Sequence, residues 1–550
     1  MIMPLEGFPG YQKKDVEKYN KFRWWLGITL GDMFDKATDL YPNKEALVDN
    51  RSRLTYCQLR DKVDRLAIAL IKLGIKKQDR VLLQLPNWSE FVYSYFASKK
   101  IGAIVVLLIP RHSQTEINHL FRLTGAKAWI LPEQHHKINY MPIIDDVLPA
   151  NPELKHVILV RRKEGERFTS LEELIQNAKL SEDNIRELAD RRPEPGEVAH
   201  MGPTGGTTGL PKVVPRTHND LICNVEYKAR GWELKDSDIC LAITPAGHDM
   251  TFTVGICGTI FTFSKLVLLD STLPEDFCRA VQREKATCSV MAPALAMRVV
   301  NFEGLKDYDM SSLSKAYVGG AASPPDLIRS GYEKVGYKHI NGFGGTEGHS
   351  CMTRLDYDLD ALCNAAARPS CPYAEYKIID QYETELPLNA EGELVAKGPD
   401  VFTGYFRSPE ENRKAFTKDG FFKTGDLAIM DDSGKILITG RIKDIILRGG
   451  ENISPAEIEG LIIAHTGVKA VSVIGMPDKE LGERICAYIQ PVHGVKLDPE
   501  DIISFLKSNG ASVLQLPERI EFIDAIPLTK VGKADKKALR EDIKKRLGIA

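Results

Sequence analysis

A segment rich in glycine and threonine, with one lysine, has the residue types that bind a polyphosphate. It spans residues 201–217 and reads MGPTGGTTGLPKVVPRT. Glycine lets the backbone approach a ligand closely and turn its N–H groups toward one concavity, and threonine hydroxyls add short donors. Lys212 adds a mobile positive charge. Because the segment lacks the GxxxxGK[ST] spacing of a Walker A loop, the residues predict a phosphate-binding loop of another type. The alternative is a flexible surface loop.

Short apolar runs alternate with helical patterns between about residue 30 and residue 440. Continuous apolar strands separated by helices are typical of parallel sheets that are covered on both faces. In such sheets, ligands bind beyond the carboxyl ends of the strands, so the loops that follow the runs should carry the chemistry. We predict a helix at 115–125 and strands at 81–85, 128–131, 157–160, 266–269, 289–292 and 316–318.

The composition fits a globular chain of two or three domains. Of the 550 residues, 43% are hydrophobic and 27% are charged, and the net charge is −2. The balanced charge disfavours nucleic acid as a main partner. The apolar run 101–109 is about half of the ~20 residues that a membrane span needs. The ten cysteines include no CxxC pair, which indicates reduced thiols, so we expect a cytoplasmic protein without a membrane span.

A second, smaller region forms the last fifth of the chain and is long enough for a small α+β domain. Ser454, followed by proline and then Glu457, predicts a helix that starts with a capping box. Asp498 before proline predicts a second helix start. The basic run 530–546 is expected to be a solvated tail helix, apart from Lys533.

Six segments, all in the same order, resemble the motifs of the adenylate-forming superfamily. This superfamily contains acyl- and aryl-CoA ligases, carrier-protein adenylation domains and luciferases. The segments are TGGTTGLPK at 204–212, NGFGGTE at 341–347, TGD at 424–426, GRIKD at 440–444, RGGENI at 448–453 and PLTKVGK at 527–533. The resemblance implies an α/β fold with a large N-terminal domain of doubly wound sheets. The implied boundaries are 1–440 for this domain, 441–444 for a hinge and 445–550 for a small mobile α+β domain.

The resemblance also implies a reaction in two steps. A carboxylate attacks the α-phosphorus of ATP, which gives an acyl-adenylate and pyrophosphate, and a thiol then displaces AMP. Because both reactants of the first step are anions, charge must be neutralised in the transition state. Lys533 is expected to supply that charge, Thr346 to contact the α-phosphate, and Glu347 to bind Mg²⁺, which prefers hard oxygen ligands.

The nucleotide-binding residues follow from the same resemblance. A carboxylate such as Asp426 can accept hydrogen bonds from both ribose hydroxyls, and Arg441 should reach the ribose as well. The expected phosphate-loop residues are Thr204, Gly205, Gly206, Thr207, Thr208 and Lys212. The expected adenine slot consists of Gly320, Ala321, Asn341, Gly342 and Phe343.

For the second step, the resemblance implies that the small domain rotates about Lys443. Rotation removes Lys533 from the site and brings another loop to the thiol tunnel. Two glycines in that loop allow close passage of a pantetheine arm. The alternative is that the glycine pair is merely a turn before a helix. The expected tunnel residues are Gly449, Gly450, Glu451 and Asn452.

Within the superfamily, the N-terminal half most resembles aryl-acid ligases, including the dihydroxybenzoate-activating enzymes of siderophore synthesis. The stretches 27–49, 54–67, 83–104 and 110–117 carry this resemblance. The pocket motif of that subfamily is His-Asn-aromatic, with the Asn at a ring hydroxyl. Here His248 fits the gate residue near the carboxylate, whereas Asp249 and Met250 depart from the motif. This departure argues against 2,3-dihydroxybenzoate as the substrate.

The sequence leaves two orientations open for Asp249. The carboxylate is either ionised beside a polar substrate or turned away into a structural hydrogen bond. His349 and Ser350 are further candidates for the acid pocket. A compact apolar cavity that fits a single ring is predicted from Met250, Phe252, Val254 and Gly320.

We therefore predict an AMP-forming ligase that uses ATP, Mg²⁺ and coenzyme A to convert a small aromatic or cyclic carboxylic acid into a CoA thioester. The sequence GGENISPAEIE favours CoA, since siderophore-type relatives tend to carry Lys in place of Asn452. One alternative is an aryl-acid AMP ligase that loads a separate carrier protein. Another is a silent nucleotide-binding protein. A monomer or a homodimer is expected. The tandem histidines His135 and His136 lack partners at metal-ligand spacing and are predicted to lie in a surface loop.

Overall fold

A computed structural model describes residues 5–162, 167–204, 210–530 and 533–549. Strands and helices alternate along most of the chain. The strands are β1 Glu45–Val48, β2 Arg53–Thr55, β3 Arg80–Leu83, β4 Ile104–Leu107, β5 Ala128–Pro132, β6 Gln134–His135, β7 Ile138–Asn139, β8 His156–Val160, β9 Thr169–Ser170, β10 Val198–Pro203, β11 Val213–Thr217, β12 Ile239–Ala242, β13 Lys265–Leu268, β14 Cys288–Met291, β15 Lys315–Gly319, β16 Lys338–Gly344, β17 Ser350–Met352, β18 Arg368–Pro369, β19 Glu375–Ile379, β20 Glu391–Lys397, β21 Phe422–Met430, β22 Ile436–Arg441, β23 Ile446–Arg448, β24 Glu451–Ile453, β25 Val468–Asp478, β26 Gly482–Pro491 and β27 Arg519–Phe522.

The helices differ widely in length and in burial. They are α1 Lys13–Lys21, α2 Leu30–Leu40, α3 Tyr56–Lys72, α4 Ser89–Lys100, α5 Gln114–Thr124, α6 Met141–Ala150, α7 Leu171–Asn177, α8 Glu182–Asp190, α9 His218–Gly231, α10 Gly258–Thr262, α11 Pro274–Glu284, α12 Pro293–Val300, α13 Pro325–Ser330, α14 Leu359–Cys363, α15 Pro409–Ala415, α16 Pro455–Ile463, α17 Pro499–Ser508 and α18 Lys536–Arg546. A π-helical turn at Thr251–Cys257 leads directly into α10.

Two large sheets form the body of the N-terminal part and confirm the predicted α/β class. One has the strand order β18-β17-β16-β15-β14-β12-β13-β1-β2, and the other has β11-β10-β4-β3-β5-β8-β9. Their central strands pair in parallel. The antiparallel strands β2, β11, β17 and β18 lie at the edges or next to them. The six predicted strands correspond within two residues to β3, β5, β8, β13, β14 and β15, and the predicted helix corresponds to α5.

The main core lies between the two sheets, around α4. All residues of α4 are buried, because the helix packs against α2, α3, β3 and β4, in an apolar cluster that also contains strand residues of the other large sheet. Lys99 is one of these buried residues, and its ammonium donates a hydrogen bond to Ala103 O at 2.7 Å. A helix that is enclosed on every side fixes the spacing between the sheets, and therefore the positions of the loops at their carboxyl ends.

A four-stranded antiparallel sheet, β19-β20-β21-β22, follows the large sheets. The last five strands form a separate sheet, β24-β23-β26-β25, in which β27 pairs with β26. The apolar clusters of this last region contain residues from 446 to 547. In α18, Leu539 and Ile543 are buried, so the expectation of a solvated tail helix is wrong for one face of this helix. The division at 441–444 stays a prediction.

The capping box predicted at Ser454 is wrong. α16 begins at Pro455, but Ser454 Oγ donates a hydrogen bond to Thr439 O at 3.0 Å and makes no side-chain bond to its own helix. The Ser454 hydroxyl thus bonds a carbonyl of the neighbouring β22 instead of capping α16. The helix start predicted at Asp498 is confirmed. The Asp498 carboxylate accepts a hydrogen bond from the backbone N–H of Asp501 at 3.0 Å, and α17 starts there.

All ten cysteines are free thiols, and nine of them are buried. Cys57 is exposed. Among the described residues, no helix combines the length and the apolar character that a bilayer crossing requires.

Candidate active site

Strands β10 and β11 form the base of the predicted phosphate loop. Thr204 N donates a hydrogen bond to Lys212 O at 2.8 Å, which joins the two ends of the loop. The Lys212 ammonium bonds Glu411 Oε2 at 3.0 Å and lies 4.4 Å from the centre of the Tyr405 ring. The loop lysine is therefore anchored at the edge of the site. Four predicted phosphate contacts, Gly205, Gly206, Thr207 and Thr208, lie outside the described residues.

Thr346 and Glu347 lie beside β10. A Cβ at Gly202 would stand 2.5 Å from Thr346 Cγ2, so this close approach requires glycine. Tyr405 donates a hydrogen bond from its hydroxyl to Glu347 Oε1 at 2.9 Å. Burial raises the pKa of the Glu347 carboxyl, and the bond from Tyr405 only partly offsets this. The stacking of Lys212 on Tyr405 links the phosphate loop to this carboxylate.

The predicted adenine slot lies at the carboxyl ends of two neighbouring parallel strands, β15 and β16. Gly319 is opposite Gly342 in their pairing. A Cβ at Gly342 would stand 2.3 Å from Cζ of Tyr317, so the tyrosine ring occupies the space of a side chain there. Gly320 follows with φ +91°, a conformation that favours glycine. The structure thus brings Gly320, Ala321, Asn341, Gly342 and Phe343 to one edge of the sheet.

Asp426 and Arg441 face each other on the antiparallel strands β21 and β22. Arg441 Nε lies 2.6 Å from Asp426 Oδ1. Asp426 is 2% exposed. Burial raises its pKa by more than the charge of Arg441 lowers it. The two predicted ribose contacts therefore form one ion pair, in which Asp426 is buried and the Arg441 side chain is 48% exposed.

Lys533 reaches this part of the protein from the C-terminal region. Its Cε lies 3.7 Å from the position of a Cβ at Gly320. Burial lowers the pKa of Lys533 to about 8, and Arg441 acts in the same sense, while Asp426 and Glu347 oppose it. Lys533 therefore lies beside the predicted adenine residue Gly320, and the charges of the predicted ribose and magnesium residues act on its ammonium group.

The segment around Lys533 has an internal hydrogen bond and an ion pair to the large N-terminal part. Lys533 N donates a hydrogen bond to Thr529 Oγ1 at 3.1 Å. Lys530 forms an ion pair with Glu116, at the start of α5 in the large N-terminal part. Glu116 also accepts a hydrogen bond from Ser113 N at 2.6 Å, as part of the α5 capping box.

His248 lies in the loop that follows β12. A Cβ at Gly247 would stand 2.3 Å from Leu108 O, so the loop packs tightly on the segment after β4. His248 Nδ1 accepts a hydrogen bond from Met250 N at 3.3 Å. Burial lowers the pKa of His248 to about 4, and the charge of Lys533 acts in the same direction. The imidazole is therefore neutral near pH 7.

Asp249 pairs with a buried cation that the sequence did not predict. Lys228 Nζ, on α9, lies 3.8 Å from Asp249 Oδ2 and donates a hydrogen bond to Thr253 Oγ1 at 3.2 Å. Burial lowers the pKa of Lys228, and Asp249 opposes that shift. The other carboxylate oxygen, Asp249 Oδ1, is buried and accepts no hydrogen bond from the described part of the chain.

The remaining pocket candidates lie in different surroundings. His349 is buried between Phe343 and Phe422, with ring centres 5.6 and 5.5 Å away, and burial lowers its pKa to about 3. Ser350 is buried on β17. Phe252 packs against Tyr95 in the core between the sheets, with ring centres 4.6 Å apart.

The predicted thiol-tunnel residues form an exposed hairpin on the small C-terminal sheet. Gly449 and Gly450, with φ +60° and +92°, make the turn between β23 and β24, and Arg448 pairs with Glu451. Gly449 N donates a hydrogen bond to Leu481 O at 2.8 Å. Asn452 is exposed as well. The predicted pivot, Lys443, lies in the single turn Ile442–Asp444 between β22 and β23.

Sequence reasoning missed two residues of this site, Lys228 and Tyr405. For Lys228 a signal existed, since Asn224 and Lys228 are four residues apart in a helical pattern and therefore share one face of α9. Polar side chains on a buried helix face require partners. Asn224 Nδ2 donates a hydrogen bond to Gly348 O at 2.7 Å, next to Glu347. For Tyr405 the sequence contains no signal, because its partner is 58 residues away.

Comparisons with known proteins agree with this geometry. The family model described as AMP-binding enzyme matches residues 34–406, and the AMP-binding enzyme C-terminal domain matches residues 457–533. The 2,3-dihydroxybenzoate-AMP ligase of Bacillus subtilis (strain 168) is 33% identical, and the match covers 99% of both chains. The 2-hydroxy-7-methoxy-5-methyl-1-naphthoate–CoA ligase of Streptomyces carzinostaticus is 32% identical, over 97% of this chain and 96% of that one.

A solved structure has the same fold. The anthranilate CoA ligase AuaEII in complex with anthranoyl-AMP superposes with a TM-score of 0.87 at 22% identity, and the match covers 95% of this chain and 98% of that chain. The family models, the two relatives and the six motifs agree, and the chain belongs to the AMP-binding enzyme family of adenylate-forming ligases.

Proposed function

We propose that this protein activates a small aromatic carboxylic acid with ATP and transfers the acyl group to the thiol of coenzyme A. The observation that carries the proposal is the position of Lys533, with Cε 3.7 Å from the Cβ position of Gly320 and its charge influenced by Asp426 and Glu347. One ammonium group within reach of the residues proposed for adenine, ribose and metal is what the first half-reaction needs.

In the adenylation step, the attacking carboxylate and the α-phosphate are both anionic. The ammonium of Lys533 would offset the charge that develops between them, in a partly buried setting where such an interaction is stronger than in water. Asp426 and Arg441 would orient the ribose, and Thr346 would meet the α-phosphate. His248, which is neutral near pH 7, would stand at the acid carboxylate as a hydrogen-bonding group without a charge.

The donor set fits a magnesium ion at Glu347. Its carboxylate supplies the hard oxygen that Mg²⁺ prefers, and Tyr405 orients that carboxylate through one oxygen. A bound Mg²⁺ would neutralise part of the triphosphate charge. Burial raises the pKa of Glu347, and a cation bound beside it would lower that pKa and favour the ionised carboxylate.

The pair of Lys228 and Asp249 supports a ring that carries a hydrogen-bond donor. An ionised carboxylate only accepts hydrogen bonds, and Asp249 Oδ1 is buried without a partner among the described residues. A hydroxyl or amino group on the ring would satisfy it, whereas a second carboxylate would be repelled. We infer that Asp249 selects the acid through this oxygen.

Coenzyme A is the proposed acceptor thiol, and the pantetheine of a carrier protein is the alternative. GGENISPAEIE and the naphthoate–CoA relative support coenzyme A. The 2,3-dihydroxybenzoate-AMP ligase relative and the aryl-acid character of the N-terminal half support the alternative, a separate carrier protein. The ten free thiols support a reducing compartment such as the cytoplasm.

ATP–pyrophosphate exchange tests the first half-reaction. The full-length enzyme is assayed with benzoate, salicylate, anthranilate, cyclohexanecarboxylate and a fatty acid of similar mass. The proposal expects the acids with a ring donor to give the highest kcat/KM. Exchange with the fatty acid alone would overturn the proposed substrate class. Thioester formation with free CoA and with a holo carrier protein, measured on the best acid, then decides the acceptor.

A further inference from the structure

A second cluster of metal-binding side chains lies outside the catalytic residues. We propose that His135, His136 and Asp270 form a binding site for a divalent metal ion such as Zn²⁺ or Ni²⁺. One ligand atom from each residue, two imidazole nitrogens and one carboxylate oxygen, lies within 4.8 Å of the other two. The prediction that the tandem histidines lack partners is wrong, because Asp270 comes from a loop 134 residues further along the chain than His136.

The backbone explains how two consecutive histidines come to face one carboxylate. β6 and β7 form a short hairpin in which His135 pairs with Ile138. Consecutive residues of a strand point to opposite faces, but His136 has φ +49°. This left-handed conformation is uncommon outside glycine. It turns the second imidazole back toward the first, with ring centres 4.1 Å apart.

The spacing of the ligand atoms fits a tetrahedral ion. With metal–nitrogen and metal–oxygen distances of about 2.0–2.1 Å, tetrahedral ligand atoms are about 3.3 Å apart. His135 Nε2 lies 3.1 Å from Asp270 Oδ1 and 2.8 Å from Oδ2. His136 Nε2 lies 4.0 Å from Asp270 Oδ1. The distances from the two histidines to Asp270 lie on both sides of the tetrahedral value, and the ligand atoms of all three residues lie within 4.8 Å of one another.

Neighbouring groups hold the carboxylate in place. Trp88 Nε1 donates a hydrogen bond to Asp270 Oδ2 at 3.2 Å, and the Trp88 ring packs edge-on against His135 at 5.8 Å. Partners that orient a ligand in this way are typical of metal sites.

The site is also open to solvent on one side. The His136 side chain is 65% exposed, whereas His135 and Asp270 are 10% and 22% exposed. An ion could enter past His136 and keep water as its fourth ligand. On metal binding, His135 would change tautomer, so that Nδ1 carries the ring proton and Nε2 is free to ligate, because a ligating nitrogen carries no proton. Two imidazoles favour Zn²⁺, Ni²⁺, Co²⁺ or Cu²⁺ over Mg²⁺ or Ca²⁺.

An ion here would connect the two large sheets. The histidines follow β5 of one sheet, and Asp270 follows β13 of the other. Asn87, next to Trp88, donates hydrogen bonds to Thr244 O at 3.1 Å and to Leu269 O at 3.0 Å. The same junction therefore supports the loop that leads to His248.

Titration of the full-length protein with Ni²⁺, followed by calorimetry, tests the proposal. The expected result is one tight site that His136→Ala weakens by more than the about 10–100-fold that loss of an outer-shell partner costs. His136 is exposed, so this variant should fold. Asp270→Asn should also weaken binding, since it keeps the shape of the side chain but removes its charge. The matched control is His493→Ala, which removes an exposed histidine of the C-terminal region and should leave binding unchanged.

A Co²⁺ spectrum supplies a second measurement. Ligation by two imidazoles and one carboxylate should give visible d–d bands without a thiolate charge-transfer band, which excludes the exposed Cys57 as a ligand. Absence of a tight site in the wild type would overturn the proposal. Equal affinity in wild type and His136→Ala would do the same, and His135–Asp270 would then be an ion pair that anchors the hairpin.

Discussion

The ammonium of Lys228 lies 3.8 Å from the carboxylate of Asp249, and the two side chains are only 5% and 14% exposed. A buried charge is stable only when it is paired or hydrogen-bonded. Each residue therefore depends on the other, and the pair places a fixed negative charge directly after His248. Under the proposed function, substrate selection and local stability would be coupled at this point of the fold.

Asp249→Asn should change the preference among acids and leave the KM for ATP unchanged. A site built around a polar contact can discriminate by about 10⁴ or more, whereas an apolar pocket separates near-isosteres by only ~10–200-fold. We expect the advantage of a hydroxybenzoate over benzoate and cyclohexanecarboxylate to shrink in the variant, as measured by kcat/KM for the three acids.

The stability of the same pair supplies the control for that experiment. Lys228→Met should lower the free energy of unfolding by about 3–5 kcal/mol, because it leaves a carboxylate buried without a counter-charge. The double variant with Asp249→Asn should recover part of that loss. If Asp249→Asn lowers kcat/KM equally for all acids and also lowers Tm, Asp249 is a structural residue only.

Lys533→Ala should abolish adenylate formation and spare thioester formation from a supplied acyl-adenylate. In the proposed mechanism, the lysine neutralises charge in the first half-reaction, and rotation of the small domain then removes it. The two half-reactions are measured separately, by pyrophosphate exchange and by release of AMP from the adenylate in the presence of CoA. An equal loss in both would contradict the assignment.

Lys443→Pro should leave adenylate formation largely intact and stop thioester formation. Lys443 lies in the short turn between β22 and β23, and a pivot must change its backbone angles between the two states. Proline fixes φ near −65° and restricts the residue before it. Overall turnover at the wild-type rate would show that the chain bends elsewhere.

The pH dependence of adenylation should show one limb near pH 8. Burial lowers the pKa of Lys533 to about 8, so the ammonium is present below that pH and lost above it. The kcat/KM of pyrophosphate exchange should therefore fall about tenfold per pH unit above the limb. No second limb is expected between pH 5 and 7 from His248, because its pKa is lowered to about 4.

Lys533→Arg is the matched variant for the pH experiment. Arginine keeps its charge throughout the accessible range, so the limb should disappear, even if the rate is lower. A limb that stays near pH 8 in this variant would assign the titration to another group.

Local patterns predicted the parallel sheets well, because a strand that is buried on both faces must be apolar along its whole length. The runs that became β5 and β14 illustrate this. The four-stranded sheet β19-β20-β21-β22 was not predicted. In β21, the residue pattern mixes buried and half-exposed positions, so it has no continuous apolar run.

The sequence predicted the site residues that belong to a motif. It did not predict contacts between residues that are far apart along the chain. Asp426 and Arg441 stand in two separate motifs, and the pairing of β21 with β22 brings them together. The link between Asp249 and Lys228, the bond from Tyr405 to Glu347 and the meeting of His135 with Asp270 all depend on tertiary packing. The same holds for Ser454, whose hydroxyl donates a hydrogen bond to a carbonyl of another strand and therefore does not cap its own helix.

The ion pair between Lys530 and Glu116 has a consequence for the timing of catalysis. It is a contact that holds the segment of Lys533 against α5, and it lies at the surface. An exposed pair contributes only about 0–1 kcal/mol and is screened by salt. Such a weak ion pair is easily broken, so in the proposed mechanism the small domain can undock once the adenylate has formed. A buried ion pair would instead hold the small domain docked and slow the second half-reaction. Because salt weakens the exposed pair, a change in ionic strength should change which step limits turnover.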